Sequence, residues 1–255
     1  MRKAYLALVY LFLYTPIAVL MILSFNKAGL PTAWTGFSTE WYGRLLESPK
    51  IIAAARNSLI VAIVSTLIAT AIGTLLALGV ERRKASAGLD ALLFTPMIIP
   101  DIVLAIALLS FFTLIKFTLG LHSIILAHVV FNIAFVCAVV RARLKSFDWS
   151  LTEASRDLGA GAVTTFLRIT FPLIWPAVIA AGLLSFTLSV DEFIIAYFTA
   201  GAGQGSTTLP MQIYAMIRFG VTPEINAMAT IILLVSFVLV LLAQRFNRAS
   251  VPGAA

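Results

Sequence analysis

Cysteine, histidine and charge are all scarce in this chain. Cys137 is the one cysteine in 255 residues, which excludes an intramolecular disulfide and a thiolate metal centre, and no metal ligands are expected elsewhere. Charged residues make up 11%, against about 25% in a soluble domain. Hydrophobic residues make up 61% and the mean hydropathy is +1.03, where a soluble chain is about 45–50% apolar. A water-soluble fold of this size cannot hide that much apolar surface. The composition therefore excludes a soluble enzyme, a disordered chain and a nucleic-acid binder. The net charge of +7 belongs to a membrane-bound chain and not to a phosphate backbone's partner.

What the sequence does hold is long apolar runs. A helix needs about 20 apolar residues to cross a hydrocarbon core about 30 Å thick. Six candidates qualify: Ala4–Asn26, Asn57–Val80, Asp90–Ile115, Phe117–Val140, a run from Pro172 or Pro176 to about Phe198, and Ile225–Gln244. The first lacks a small-residue cleavage site and is expected to be retained. The third carries Pro96, Pro100 and Asp101, and the fifth carries Asp191 and Glu192. These runs are too long and too uniform for barrel strands, which alternate over about ten residues. An all-α membrane protein with six transmembrane helices is expected, as one transmembrane domain over residues 1–255.

Orientation follows from Lys and Arg. Twelve fall on one side, at Arg2, Lys3, Arg82, Arg83, Lys84, Arg141, Arg143, Lys145, Arg156, Arg168, Arg245 and Arg248, and six on the other. Both termini are therefore expected to be cytoplasmic. Residues 27–56 become an external segment with Trp34, Trp41 and Tyr42, and residues 141–175 a cytoplasmic loop.

That loop is the most patterned in the chain. Ser150-Leu151-Thr152-Glu153 reads as a capping box, opening a short helix that Gly159 ends in the left-handed conformation. Leu151, Ala154, Ser155 and Leu158 share one face; Glu153, Arg156 and Asp157 lie to the other side. A second helical stretch, Ala162–Ile169, should stop at Pro172. Physics alone leaves two readings open, an amphipathic helix resting on the membrane or a helix that docks a protein.

Glu153-Ala154-Ser155, three residues, Gly159, nine residues, Ile169, one residue and Phe171-Pro172 resembles the Glu-Ala-Ala (EAA) loop of ABC-importer permeases. Ser155 and Phe171 depart from the family's Ala and Leu while keeping a small and a bulky apolar side chain. Further resemblance to permeases of spermidine/putrescine-type importers lies in Ser189-Val190-Asp191-Glu192-Phe193, Leu209-Pro210-Met211-Gln212-Ile213-Tyr214 and Gly220–Ala227. The resemblance implies a type I ABC-importer permease (MetI-like) fold. It also implies coupling to an ATPase through Glu153, Ala154, Ser155, Asp157, Leu158 and Gly159. The implied partners are a second permease, two ATPase subunits and an external binding protein. ATP and Mg would bind the ATPase subunits, with no cofactor and no catalytic residue in this chain. Residues 201–208 are rich in glycine but lack the Lys and spacing of a phosphate-binding loop.

A charged side chain at a helix centre costs about 2.5–3.5 kcal/mol on insertion scales and usually faces an interior cavity. Asp101 is expected about 16 Å along span three from Asp90, and Asp191 and Glu192 about 23 Å along span five from Pro176. Gly182, Ser185, Ser189 and Glu192 form one stripe, with Thr187 and Asp191 beside it. The functional reading is a negative lining that attracts a cation, suited to a di- or triamine, with Tyr197, Phe193 or Phe198 available for cation–π contact. The substrate pathway is thus assigned to Asp101, Asp191, Glu192, Ser189 and Tyr197. The alternative is that these acids pair with a basic partner residue or cap a helix break. His122 is expected near the outer interface and His128 deeper, each with a helix-packing hydrogen bond as the commoner role and a proton relay as the alternative. Tyr214 and Arg218 are expected to contact the binding protein or a gate, and Gly73 and Gly79 to allow close helix approach. A permease for another cationic or amino compound is the alternative substrate class. A gradient-driven carrier and a non-conducting anchor are the competing functions, against which the loop spacing and the membrane acids respectively argue.

Overall fold

In the computed structural model, which describes residues 2–29, 33–83 and 87–249, helices account for almost all regular structure. α1 is Arg2–Leu23, α2 Glu40–Glu47, α3 Pro49–Arg83, α4 Ala87–Ile98, α5 Asp101–Leu114 and α6 Leu121–Leu144. After these come α7 Ser150–Asp157, α8 Ala162–Thr165, a π turn Phe166–Thr170, α9 Phe171–Asp191, α10 Ile194–Thr199, α11 Leu209–Ile217 and α12 Pro223–Ala249. Five described helical stretches are long and apolar enough to cross a membrane, and α4 with α5 makes a sixth if the bent pair counts as one span. Lys84, part of the charge count, lies outside the described residues.

The chain divides into two compact units. The first comprises residues 1–57 and 207–236. Its core gathers Trp41, Leu45 and Ile51 against Ala227 and Met228, with Leu209 and Ile213 at the edge. Asn26 organises the segment after α1. Its carboxamide oxygen accepts from Thr35 N–H at 3.0 Å, its amide donates to the Ala33 carbonyl at 2.8 Å, and its own carbonyl accepts from Trp41 Nε1 at 2.7 Å. The segment after α1 is thus partly helical, holding α2 and the opening turns of α3.

The second unit comprises residues 58–206 and 237–255. α6 is its axis, packed on α4, α9 and α10. One cluster joins Ala77, Val136, Cys137, Val140, Ile174 and Ala181; another joins Leu104, Ala105, Phe112, Ala127, Phe131 and Ile195. α3 approaches α6 at Gly73, where an added Cβ would lie 2.8 Å from Val136 Cβ. At Gly79 the same construction meets nothing within 4 Å, so only the first of the two glycines serves close packing.

Two spans differ from the expectation. The third is bent by 105° between α4 and α5, because Pro100 lacks an N–H and disfavours helix at the preceding residue; the straight rise of about 16 Å from Asp90 to Asp101 does not apply. The fifth starts earlier and ends earlier than read. Pro172 does not stop the helix, which runs from Ala162 to Asp191. A proline ring clashes with the carbonyl four residues back in an α-helix. The wider π turn just before it, closed by Phe171 N–H to the Phe166 carbonyl, relieves that clash. The helix then breaks at Glu192, so Phe198 belongs to the separate α10.

Candidate functional site

The loop between α6 and α9 is built to hold a short helix proud of the surface. α7 does not open on the expected capping box. Ser150 is already helical, and its hydroxyl and backbone N–H both donate to Asp148 Oδ1, at 2.7 and 3.0 Å. Those two donors hold the Asp148 carboxyl below the usual carboxylate range. The far end closes as a Schellman motif: Gly159 N–H donates to the Arg156 carbonyl at 2.8 Å and Ala160 N–H to the Ser155 carbonyl at 3.1 Å. Gly159 has φ of +83°, where a side chain would be strained. Thr152 is buried, and Ser155 Oγ lies 3.1 Å from Thr165 Oγ1, pinning α7 to α8. Leu151, Glu153, Ala154, Arg156, Asp157 and Leu158 are all exposed, Leu158 at 89%. An apolar side chain held open to that degree, on a helix fixed at both ends, has the form of a docking surface.

The membrane acids sit at helix breaks. Asp101 is the first residue of α5, directly after Pro100, and is exposed. A carboxylate there meets the positive end of the α5 dipole, an interaction worth about 0.3–1 kcal/mol when exposed. Asp191 is the exposed last residue of α9. Glu192 lies in the break itself. Its Oε1 accepts from Ile195 N–H and its Oε2 from Ala196 N–H, both at 2.8 Å, so it caps α10. Tyr197 is half exposed on α10, with ring centroids 5.4 Å from Phe193 and 6.0 Å from Phe198.

The stripe read from periodicity on span five exists, but it faces protein. Ser189 is buried, with Oγ 3.1 Å from Ser65 Oγ on α3 and 2.6 Å from His128 Nδ1 on α6. Ser185 reaches Thr66 Oγ1 at 3.5 Å, and Gly182 passes close to Thr70. His128 makes the helix-packing contact expected of it. His122 stays near α6's start, 2.6 Å from the Thr118 carbonyl. A cavity of about 630 Å³ lies between α3 and α9, lined by Leu67, Thr74, Phe171, Trp175 and Phe186 among others. None of the five assigned pathway residues borders it.

A loop poised to dock and acids placed at broken spans are features of a transport subunit. Residues 69–255 match the family described as binding-protein-dependent transport system inner membrane components. The chain belongs to this family. It is similar to the spermidine/putrescine transport system permease protein PotC of Escherichia coli (strain K12), 39% identical over 99% of this chain and 96% of that protein. It is also similar to the putrescine transport system permease protein PotI of the same strain, 40% identical over 91% of this chain and 85% of that one. Among solved structures, a bacterial ABC transporter involved in the import of the acidic polysaccharide alginate superposes with TM-score 0.75 and 18% identity, covering 97% of this chain and 94% of that one. The methionine ABC transporter MetNI gives TM-score 0.60 and 17% identity over 84% and 100%. At those identities the likeness speaks for the fold, which is that of a type I ABC-importer permease. The chain is a multi-pass inner-membrane transport component and not an enzyme.

Within this family fold, one polar cluster escaped the sequence reading. Arg141, counted there only as a cytoplasmic charge, forks onto Asp90 at 2.8 and 3.2 Å and reaches Glu81 at 3.1 Å, tying α6 to α4 and α3. Beside it, Arg82 lies 5.4 Å over the Trp149 ring, just ahead of α7. Among the described residues no group of three or more His, Cys, Asp and Glu is arranged to hold a metal.

Proposed function

We propose that this chain is the transmembrane permease subunit of an ATP-driven importer that passes a polyamine, spermidine or putrescine, across the inner membrane. The observation that carries this reading is identity of 39% with a spermidine/putrescine permease across 99% of the chain. The placement of the acids supports it: Asp101 and Asp191 stand exposed at two separate helix breaks, and an extended polycation is held by separated carboxylates. Tyr197 adds an aromatic face to the same region.

In this proposal the exposed residues of α7, from Glu153 to Gly159, enter a groove on an ATPase subunit. ATP and Mg bind on two such subunits, and this chain carries no cofactor. A second permease completes the conduit and an external binding protein delivers the cargo. Both termini lie in the cytoplasm, which puts α7 on the ATPase side. Closure of the ATPase pair moves α7, and the continuous helix from α8 through α9 carries that movement to Asp191, so the path opens alternately outward and inward.

The test is uptake of labelled putrescine and spermidine in a strain lacking this gene and any second polyamine system, complemented with wild type or with the Asp101→Asn, Asp191→Asn pair. Restoration by wild type alone, at equal membrane levels, is the expected result. Uptake untouched by the deletion overturns the polyamine assignment. Equal restoration by the variant overturns the role given to the acids.

A further inference from the structure

The break in span five is braced from outside. Backbone N–H groups freed by a helix break are costly if left bare in lipid, and Glu192 answers two of them. Glu192 is then a nearly enclosed carboxylate, and the group beside it is His128. Nε2 of His128 stands 3.4 Å from Glu192 Oε2, with side chains 1% and 7% exposed. That nitrogen makes no hydrogen bond among the described residues. The other ring nitrogen, Nδ1, is 2.6 Å from Ser189 Oγ, and Ser189 Oγ is 3.1 Å from Ser65 Oγ. One imidazole therefore touches the last turn of α9 with one nitrogen and the break residue with the other.

The donor inventory orders this chain. A carboxylate only accepts, and a neutral imidazole has one N–H. The arrangement that serves every group places that N–H on Nε2, toward Glu192. Nδ1 then accepts the Ser189 hydroxyl, and Ser189 accepts from Ser65. A turn further along α6, Asn132 is fully buried, and among the described residues neither of its polar side-chain atoms bonds to a partner, the imidazole included.

We propose that His128 is a positioning residue for translocation: by bracing both sides of the α9–α10 break, it fixes the direction in which Asp191 presents its carboxylate to the cargo. The proposal rests on the polyamine reading above. His128 is itself enclosed and touches no cargo. Its effect is on how well a passing cation is held, so its loss raises the half-saturating concentration for uptake more than it lowers the maximal rate.

The experiment replaces His128 by Gln, Asn and Leu in the full transporter. It measures labelled putrescine uptake over graded concentrations in the deletion strain, with membrane levels followed by immunoblot. A Gln amide reaches the place of Nε2 and keeps a donor for Glu192; an Asn amide reaches only the place of Nδ1. The expected result is a KM within about threefold of wild type for His128→Gln and about tenfold higher for His128→Asn and His128→Leu, a tenfold change being about 1.4 kcal/mol of binding. If His128→Leu does not accumulate, the Gln–Asn contrast decides alone. An unchanged KM with only the maximal rate reduced, or Gln and Asn alike, overturns the proposal while leaving the polyamine reading intact. A wild-type gene that restores neither putrescine nor spermidine uptake overturns that reading and this proposal with it.

Discussion

Gly73 should be the least replaceable glycine of α3. Gly73→Ala places a methyl 2.8 Å from both Cβ and Cγ1 of Val136 and 3.1 Å from the Ile133 carbonyl oxygen. Carbon atoms pack comfortably at about 3.5–4.0 Å, so the overlap approaches 1 Å. Val136 is fully buried and, as a β-branched residue on a helix, has essentially one rotamer. The Ile133 oxygen is backbone and cannot turn away. Relief requires α3 and α6 to separate. Overpacking of this kind costs about 1–3 kcal/mol, and alanine's better helix propensity returns up to about 1 kcal/mol. The net loss is about 1–2 kcal/mol, which for a chain of this size lowers Tm by about 2–8 °C. Gly79→Ala, where nothing lies within 4 Å, should melt within about 1 kcal/mol of wild type in either direction. The assay is tryptophan fluorescence of the detergent-solubilised protein during heating. Equal melting of Gly73→Ala and wild type, or equal loss in both variants, would refute the packing argument.

Two further outcomes follow from the polar clusters. Arg141→Met leaves Asp90 and Glu81 unpaired while both are about two-thirds or more covered; breaking a part-buried pair should cost about 2 kcal/mol, read as a lower Tm. Arg141→Lys should recover only part of this, since a lysine cannot fork onto Asp90; full recovery would refute the bidentate account. Asp148→Ala should speed amide exchange over Ser150–Glu153 at neutral pH. The Asp148 carboxyl is held below its ordinary range by the Ser150 donors, so its contribution is complete above that range and disappears as pH falls through the lowered value. Variant and wild type should therefore converge once pH falls below that lowered value, and a difference that widens on acidification would contradict the assignment.

The spans were legible because apolar run length is a one-dimensional property, and Pro100 announced the bend in the third. Contacts made across sequence were not. Arg141 looked like one more cytoplasmic charge because Asp90 and Glu81 lie 51 and 60 residues away. The Ser185–Ser189 stripe was visible as periodicity, yet nothing in the sequence says that Ser65 and Thr66 of α3 cover it. Glu192 carried a local signal, two acids followed by an aromatic cluster, and the helix-cap alternative was the one its backbone partners realise. At α7, the Ser-x-x-Glu spacing pointed to the wrong cap. Asp148, two residues ahead of Ser150, was the nearer acceptor and captured both its donors.

The π turn over Phe166–Thr170 gives the loop's fixed spacing a mechanical meaning. Each residue in a helix advances the azimuth by about 100°. Between the Schellman turn at Gly159 and Pro172, the residue count therefore sets the phase angle between the surface of α7 and the azimuth at which α9 presents Asp191. Inserting or deleting a single residue there would leave both ends well formed while turning one against the other by more than a quarter circle. The chain would still insert and fold, but the crank would be keyed to the wrong position on its shaft.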